Sequence, residues 1–329
     1  MCSSFVPPPI RWRFPSVTAT STIRIATRSS NLALWQAHHI SDLIRATSPE
    51  MTVELVHIST AGDRDQTERL RDIGSFGVFT REVQLALLDG RADVAVHSLK
   101  DLPTDYVEGL MLAATPTRGL TADALVMPLN HTGSTDLNAL AQGARVGTGS
   151  PRRQAQLRYL RPDLQLSEVR GNVETRLRKL DEGQYEALVL AAAGLTRLGL
   201  RHRISRELPP PTVYPAVGQG AIGVECRTDD MLARRVLALI THCPTQAAVT
   251  AERSLLATLR AGCHAPLGVA TQVIDDTLRL EAVVLPQDGS DRWIASASGT
   301  TCDAAFLGQQ VAQRLLIQGA GRVLHGETA

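Results

Sequence analysis

Four polar side chains, His97, Ser98, Lys100 and Asp101, close the apolar run Ala92-Asp93-Val94-Ala95-Val96. A Val-rich run of this kind reads as a buried strand. In open α/β sheets ligands bind just beyond the carboxyl ends of strands, so a lysine beside an aspartate there offers both signs of charge to a ligand site. The alternative is a loop ion pair with no chemistry, and His97 reads as structural. Lys100 is one of only two lysines among 34 basic residues. The chain's positive charge is therefore almost wholly arginine, whose planar fork binds carboxylates and phosphates bidentately where lysine offers a point charge.

Two further segments repeat one design. In Thr148-Gly149-Ser150-Pro151-Arg152-Arg153-Gln154 a strand ends, small residues turn, and Pro151 falls near the first position of a helix that Ser150 would cap. A helix N-terminus behind small residues is an anion site by geometry, and Arg152 and Arg153 add two guanidinium forks. Arg170-Gly171-Asn172-Val173-Glu174-Thr175-Arg176 follows the same order, with the helix starting at Asn172 and Arg176 one turn in. With Arg28 after the first strand, at least five arginines become candidates for one polyanionic ligand, although solvated helix faces would account for any one of them. Cys263 lies in Ala261-Gly262-Cys263-His264-Ala265-Pro266, where glycine and proline indicate a fixed, irregular loop that would present the thiol. The alternative is a buried small hydrophobe. A Cys263–His264 nucleophile pair is weaker, since adjacent side chains in extended backbone point apart. The chain carries no P-loop, H-E-x-x-H, G-x-S-x-G or G-x-G-x-x-G after a strand, and Gly218-Gln219-Gly220 lacks the third glycine and its helix.

The elements that must position these groups read as α/β. Strands are expected at Ile23–Thr27, Val53–Ser59 and Val94–His97, with helices at Leu32–Ala46 and Val78–Leu88 and a polar loop over Ala61–Ser75. That βαβα order implies a parallel sheet with right-handed crossovers. A second series has strands at Ala124–Met127, Arg145–Gly147, Leu164–Val169 and Ala187–Leu190, and helices at Pro151–Leu160, Val173–Leu180 and Ala191–Leu198. Pro209-Pro210-Pro211 breaks that module, and Gly218–Cys226 reads as a strand that could return to the first sheet. After Thr245 come a helix (Gln246–Leu259), strands near Gly268–Val273, Leu278–Leu285 and Trp293–Ser298, and a final helix (Ala304–Ile317). The expected fold is two parallel-sheet lobes of periplasmic-binding-protein-like type with a cleft between them, plus a small C-terminal α+β domain. The corresponding division is 1–22 as a disordered N-terminal extension, 23–116 with 216–240 as a discontinuous first domain, 117–215 as the second, and 241–329 as the third.

The chain has 329 residues, 43% apolar content and a net charge of +1, so no global field draws it to nucleic acid or to a membrane surface. Five cysteines (Cys2, Cys226, Cys243, Cys263, Cys302) without a C-x-x-C pair argue against a disulfide framework or structural zinc and fit a reducing compartment. The longest apolar stretch, near Ala187–Leu195, is too short to span a bilayer. Residues 1–22 carry Pro7-Pro8-Pro9, Arg11 and Arg13, with no acidic residue before Asp42. That composition is faintly like a transit peptide, beside the readings of a mis-assigned start or a disordered tail.

Taken in order, these segments closely resemble the hydroxymethylbilane synthase (porphobilinogen deaminase) family. The matching stretches are Arg24-Ile25-Ala26-Thr27-Arg28, Leu32-Ala33-Leu34-Trp35-Gln36-Ala37, Ala92–Pro103, Ser150–Gln154, Arg170-Gly171-Asn172, Pro215-Ala216-Val217-Gly218-Gln219-Gly220 and Gly262-Cys263, across roughly residues 23–325. The resemblance implies a monomeric, cytoplasmic, three-domain transferase of porphyrin biosynthesis that joins four porphobilinogens head to tail into hydroxymethylbilane and releases ammonia. Residence in a plastid or other organelle would follow if residues 1–22 are a transit segment. It further implies a dipyrromethane primer linked by thioether to Cys263, catalysis by Asp101, cofactor contacts from Lys100, Ser98, Thr148, Ser150, Arg152, Arg153, Arg170 and Gly171, and substrate contacts from Arg28, Ser30, Arg176 and Gln219. No metal is implied. The chain departs from the family pattern at Asn31, where proline is usual, at Ala61 and at Phe76, in a segment expected to act as a lid. Rival readings are a solute-binding protein for an organic anion and a phosphate-binding enzyme; the second lacks any phosphate-loop glycine motif. Intact mass separates them: the purified protein should exceed its sequence mass by one dipyrromethane, and Cys263→Ser should abolish that increment, whereas an active, unmodified wild-type protein would refute the anchor.

Overall fold

The computed structural model describes residues 21–59, 80–105, 107–262 and 265–325. The chain first forms β1 (Thr22–Thr27), α1 (Asn31–Thr47), β2 (Thr52–His57), α2 (Arg81–Leu88), β3 (Val94–Ser98) and β4 (Leu110–Ala114). A second run holds β5 (Asp123–Val126), β6 (Arg145–Gly147), α3 (Pro151–Leu160), β7 (Gln165–Ser167), α4 (Val173–Asp181), β8 (Ala187–Ala191), α5 (Ala192–Arg197) and β9 (Arg206–Leu208). The chain then makes β10 (Ile222–Arg227) and α6 (Met231–Leu239). It finishes with α7 (Cys243–Thr258), β11 (Leu267–Ile274), β12 (Thr277–Val284), β13 (Trp293–Thr300), α8 (Ala304–Ile317) and α9 (Gly321–His325).

Three sheets result, ordered β2-β1-β3-β10-β4, β7-β6-β8-β5-β9 and β11-β12-β13. In the first lobe β1 pairs in parallel with β2 and β3, as βαβ connections require, and the returning strand β10 enters antiparallel between β3 and β4. In the second, β6 is parallel to β7 and β8, while β5 runs against β8 and β9. The expectation of parallel sheets therefore needs one correction: both lobes are mixed. β5 and β10 are reached directly from the connections between the lobes rather than through a crossover helix, so each runs against its neighbours. The first sheet is sandwiched by Ile40, Ile44 and Val236 on one face and by Val83 and Leu87 on the other. The C-terminal sheet packs one face on α7 and α8 through Leu255, Leu280, Leu307 and Val311.

Four expectations fall on residues outside those described: the extension, as far as residue 20; the loop Ala61–Ser75 with Phe76; the first two residues of the Val78–Leu88 helix; and Cys263 with His264.

The two connections between the lobes meet the C-terminal domain at one carboxylate. Glu252 of α7 is fully buried. It accepts from Arg118 Nη1 at 2.6 Å and Nη2 at 3.0 Å, from the Gly218 backbone N–H at 2.7 Å, and from the Thr271 hydroxyl on β11. Arg118 Nε in turn donates to the Gln219 carbonyl at 2.8 Å. Removing one member of a buried ion pair leaves an uncompensated charge. Glu252→Ala is expected to lower unfolding stability by about 3–5 kcal/mol in a urea titration.

Candidate active site

β3 delivers the first group of side chains. Its apolar residues are buried, and beyond Ser98 a short 3-10 turn, Leu99–Asp101, is pinned by buried Leu99. That leaves Ser98 and Lys100 half-buried and Asp101 exposed. Arg28, Ser30, Ser98 and Asp101 line one cavity of about 80 Å³ together with Gln36, Thr80 and His97. Ser30 caps α1, accepting from Ala33 N at 3.4 Å. Gln36 Nε2 donates to Ser98 Oγ at 2.8 Å, which leaves the Ser98 hydroxyl proton for an acceptor in the cavity. His97 is turned inward: its Nε2 lies 3.0 Å from Glu225 Oε2, and Gln84 Nε2 donates to both Glu225 oxygens at 3.1 Å.

The second group comes from α3 and α4. Pro151 opens α3 behind the Ser150 cap, with Thr148 buried at the end of β6. Arg152 and Arg153 are not open forks in solvent, being 4% and 6% exposed. Both are ion-paired with Asp123, which is fully buried at the start of β5: Arg152 Nη1 lies 2.8 Å from Oδ2, and Arg153 Nη2 lies 2.7 Å from Oδ1. Arg152 also donates to the Tyr214 carbonyl, and its Nε is buried without a hydrogen-bond partner. Gln219 joins this cluster, donating to the Thr121 carbonyl at 2.7 Å and to Asp123 Oδ1 at 2.9 Å, and its Oε1 is likewise buried and unpartnered. In α4, Asn172 is the cap, accepting from Thr175 N at 2.9 Å. Gly171 has φ +106°, and Arg176 Nε donates to its carbonyl at 2.8 Å. Arg170 lies 3.3 Å from Glu168.

Electrostatics joins the two groups. Burial pushes the Lys100 ammonium pKa down, and the charges acting on it are Asp101 and Asp123, which oppose the fall, and Arg153 and Arg152, which add to it. Arg176 is lowered by burial and by Arg153, with Asp101 and Glu168 opposing. Lys100 and Asp101 from the first lobe therefore share a field with Arg152, Arg153 and Arg176 from the second. The arrangement can hold carboxylates on the cations and set one exposed carboxylate, Asp101, against whatever they hold.

The sequence model of the porphobilinogen deaminase dipyrromethane cofactor binding domain matches residues 23–235, and that of the porphobilinogen deaminase C-terminal domain matches residues 246–317. The chain belongs to the porphobilinogen deaminase family. Members of this family are transferases of tetrapyrrole synthesis that use porphobilinogen. Similar solved structures include the periplasmic VFT2 domain of BvgS from Bordetella pertussis (14% identity, TM-score 0.42, covering 67% of this chain and 86% of that one). A TRAP periplasmic solute binding protein from Desulfovibrio salexigens is 10% identical, with a TM-score of 0.40 over 70% of this chain and 74% of that one. Among the described residues no helix is long and apolar enough to cross a membrane.

For this porphobilinogen deaminase family chain, sequence reasoning missed the internal partners of the site: Asp123, Gln36, Glu225 and Arg118. The signal for Asp123 was present, an acidic residue opening the apolar run Ala124-Leu125-Val126. Asn31, in place of the usual proline, opens α1 and donates from Nδ2 to Glu174 Oε1 on α4 at 2.8 Å, bridging the lobes.

Burial alone would raise the Asp123 pKa, but Arg152 and Arg153 outweigh it and hold the carboxyl well below the usual range of 3.8. A folded-state pKa below the unfolded one contributes stability that is complete above about pH 4 and is lost as pH falls through the folded value. Asp123→Asn should therefore cost about 3–5 kcal/mol at pH 7 and flatten the acid limb of stability against pH, read by denaturant titrations between pH 7 and pH 3. A wild-type acid limb in the variant would refute this account.

Proposed function

We propose that this chain condenses four porphobilinogen molecules head to tail into hydroxymethylbilane, with release of ammonia, on a dipyrromethane primer held by thioether at Cys263. One observation carries the reading. An exposed aspartate, Asp101, stands in a field of cations drawn from both lobes, Lys100, Arg153 and Arg176. Porphobilinogen bears an acetate and a propionate beside a pyrrole N–H, so the growing chain gains two carboxylates per ring and needs many donors and one acceptor. The donor set fits a dipyrromethane for the same reason. The buried Arg152 Nε lacks a partner, and Lys100, Arg170, Arg176, Ser98 and Ser150 are all donors. When bound, that group supplies a nucleophilic pyrrole carbon.

In this reading Arg28, Ser30, Arg176 and Gln219 hold the incoming porphobilinogen. Lys100, Ser98, Thr148, Ser150, Arg152, Arg153, Arg170 and Gly171 hold the rings already in place. Asp101 accepts the pyrrole N–H, stabilises the positive charge that develops on the incoming ring as its amine leaves as ammonia, and assists removal of the proton displaced by carbon–carbon bond formation. The strand membership of the three sheets supports a domain division at 23–116 with 216–240, 117–215 and 241–329.

Asp101→Asn should retain the dipyrromethane mass increment and lose turnover by about 100-fold or more, measured as porphobilinogen consumption. Wild-type rates in that variant would end the assignment.

A further inference from the structure

Glu252 and Arg253 are consecutive on α7, and between them they reach the start and the end of the turn that carries Asp101. Glu252 fixes Gly218 through its N–H, and Gly218 lies directly against that turn. A Cβ on Gly218 would stand 3.1 Å from Lys100 N and 3.2 Å from Leu99 C, and its φ of +70° also favours glycine. At the end of the turn Arg253 Nη1 donates to the Leu102 carbonyl at 3.0 Å and Nη2 to the Pro103 carbonyl at 2.7 Å. Leu102 closes the turn, its N–H donating to the Leu99 carbonyl at 3.1 Å. A single 3-10 turn has weak hydrogen-bond geometry of its own, so its orientation is set by what holds its ends. Two guanidinium nitrogens at fixed spacing can hold successive carbonyls, which a single ammonium does less well. The helix that supplies them is itself anchored, since Ser254 Oγ donates to the Ala305 carbonyl at 2.7 Å where α7 packs on α8.

We propose that Arg253 is a positioning residue for Asp101. It ties the turn at the end of β3 to the C-terminal domain, so that the carboxylate is aimed from outside its own lobe. This rests on the reading of Asp101 given above. A carboxylate displaced by about an ångström loses on the order of 100-fold in rate without losing the ligand contacts made elsewhere.

The test compares Arg253→Met and Arg253→Lys holoenzymes with wild type by intact mass, thermal melting and steady-state kinetics on porphobilinogen. Arg253→Met should keep the dipyrromethane increment and lower kcat by about 10–100-fold while KM stays within about twofold. Arg253→Lys, still able to reach one carbonyl, should recover part of kcat. Wild-type kcat in Arg253→Met, or a loss of kcat fully matched by loss of folded, cofactor-loaded protein in both variants, overturns the proposal. If Arg253→Met alone fails to fold, Arg253→Lys decides: reduced kcat at normal mass and melting temperature supports it, and unchanged kcat overturns it. Asp101→Asn measured alongside separates the two failures. Full turnover there removes the role of Asp101, whereas lost turnover there with wild-type kcat in Arg253→Met removes only the brace.

Discussion

Taking the Glu252 carboxylate out of water is costly unless its oxygens are fully used, and here Arg118, the Gly218 N–H and Thr271 converge on them. The donors come from both connections between the lobes and from the C-terminal sheet. Two of these donors are also tied elsewhere, Arg118 to the Gln219 carbonyl and Gly218 to the packing beneath Lys100. Parts of the chain distant in sequence are thus pinned where the cleft begins. Losing the pairing would strand a buried charge.

The same economy of charge shapes the cleft. Asp123 and Asp101 are both aspartates near arginines, but their surroundings give them opposite uses. Asp123 is fully buried and committed to Arg152, Arg153 and Gln219, so it orients those donors and partly offsets their charge. Asp101 is exposed on a short turn, and no hydrogen bond among the described residues commits its carboxylate, which suits it to a passing ligand. Two carboxyl groups placed in unlike environments can divide structural and chemical work between them.

Much of this was legible in the sequence because local rules and tertiary demands agree. α3 runs from Pro151 to Leu160, as its Ser150 cap and Pro151 required, and α8 runs from Ala304 to Ile317, following its apolar spacing. Arg28, Arg152, Arg153 and Arg176 were legible from their places at strand ends and helix starts, whereas Ser30, Thr148, Gly171 and Gln219 entered only through the family resemblance. Four elements escaped, among them the five-residue α9. β4, Leu-Met-Leu-Ala-Ala, lacks the β-branched residues that mark strands, and β9 is only three residues long. α6 was legible in principle, since Asp230 caps it by accepting from Ala233 N at 2.9 Å. The orientation of Arg152 and Arg153 was not, because their partner Asp123 lies about thirty residues upstream and only the folded chain brings the three together.

The place of β10 in the first sheet has a consequence for how the chain reaches its fold. That strand sits between β3 and β4, so the sheet of the first lobe cannot be completed until residue 227 has been made. The second lobe has no such dependence, since β5 to β9 form an unbroken stretch of chain. During vectorial synthesis, β4 waits for a partner that arrives after a whole intervening lobe, and pairings between such distant segments are intrinsically slow. The lobe that begins first in the sequence is thereby the later of the two to close.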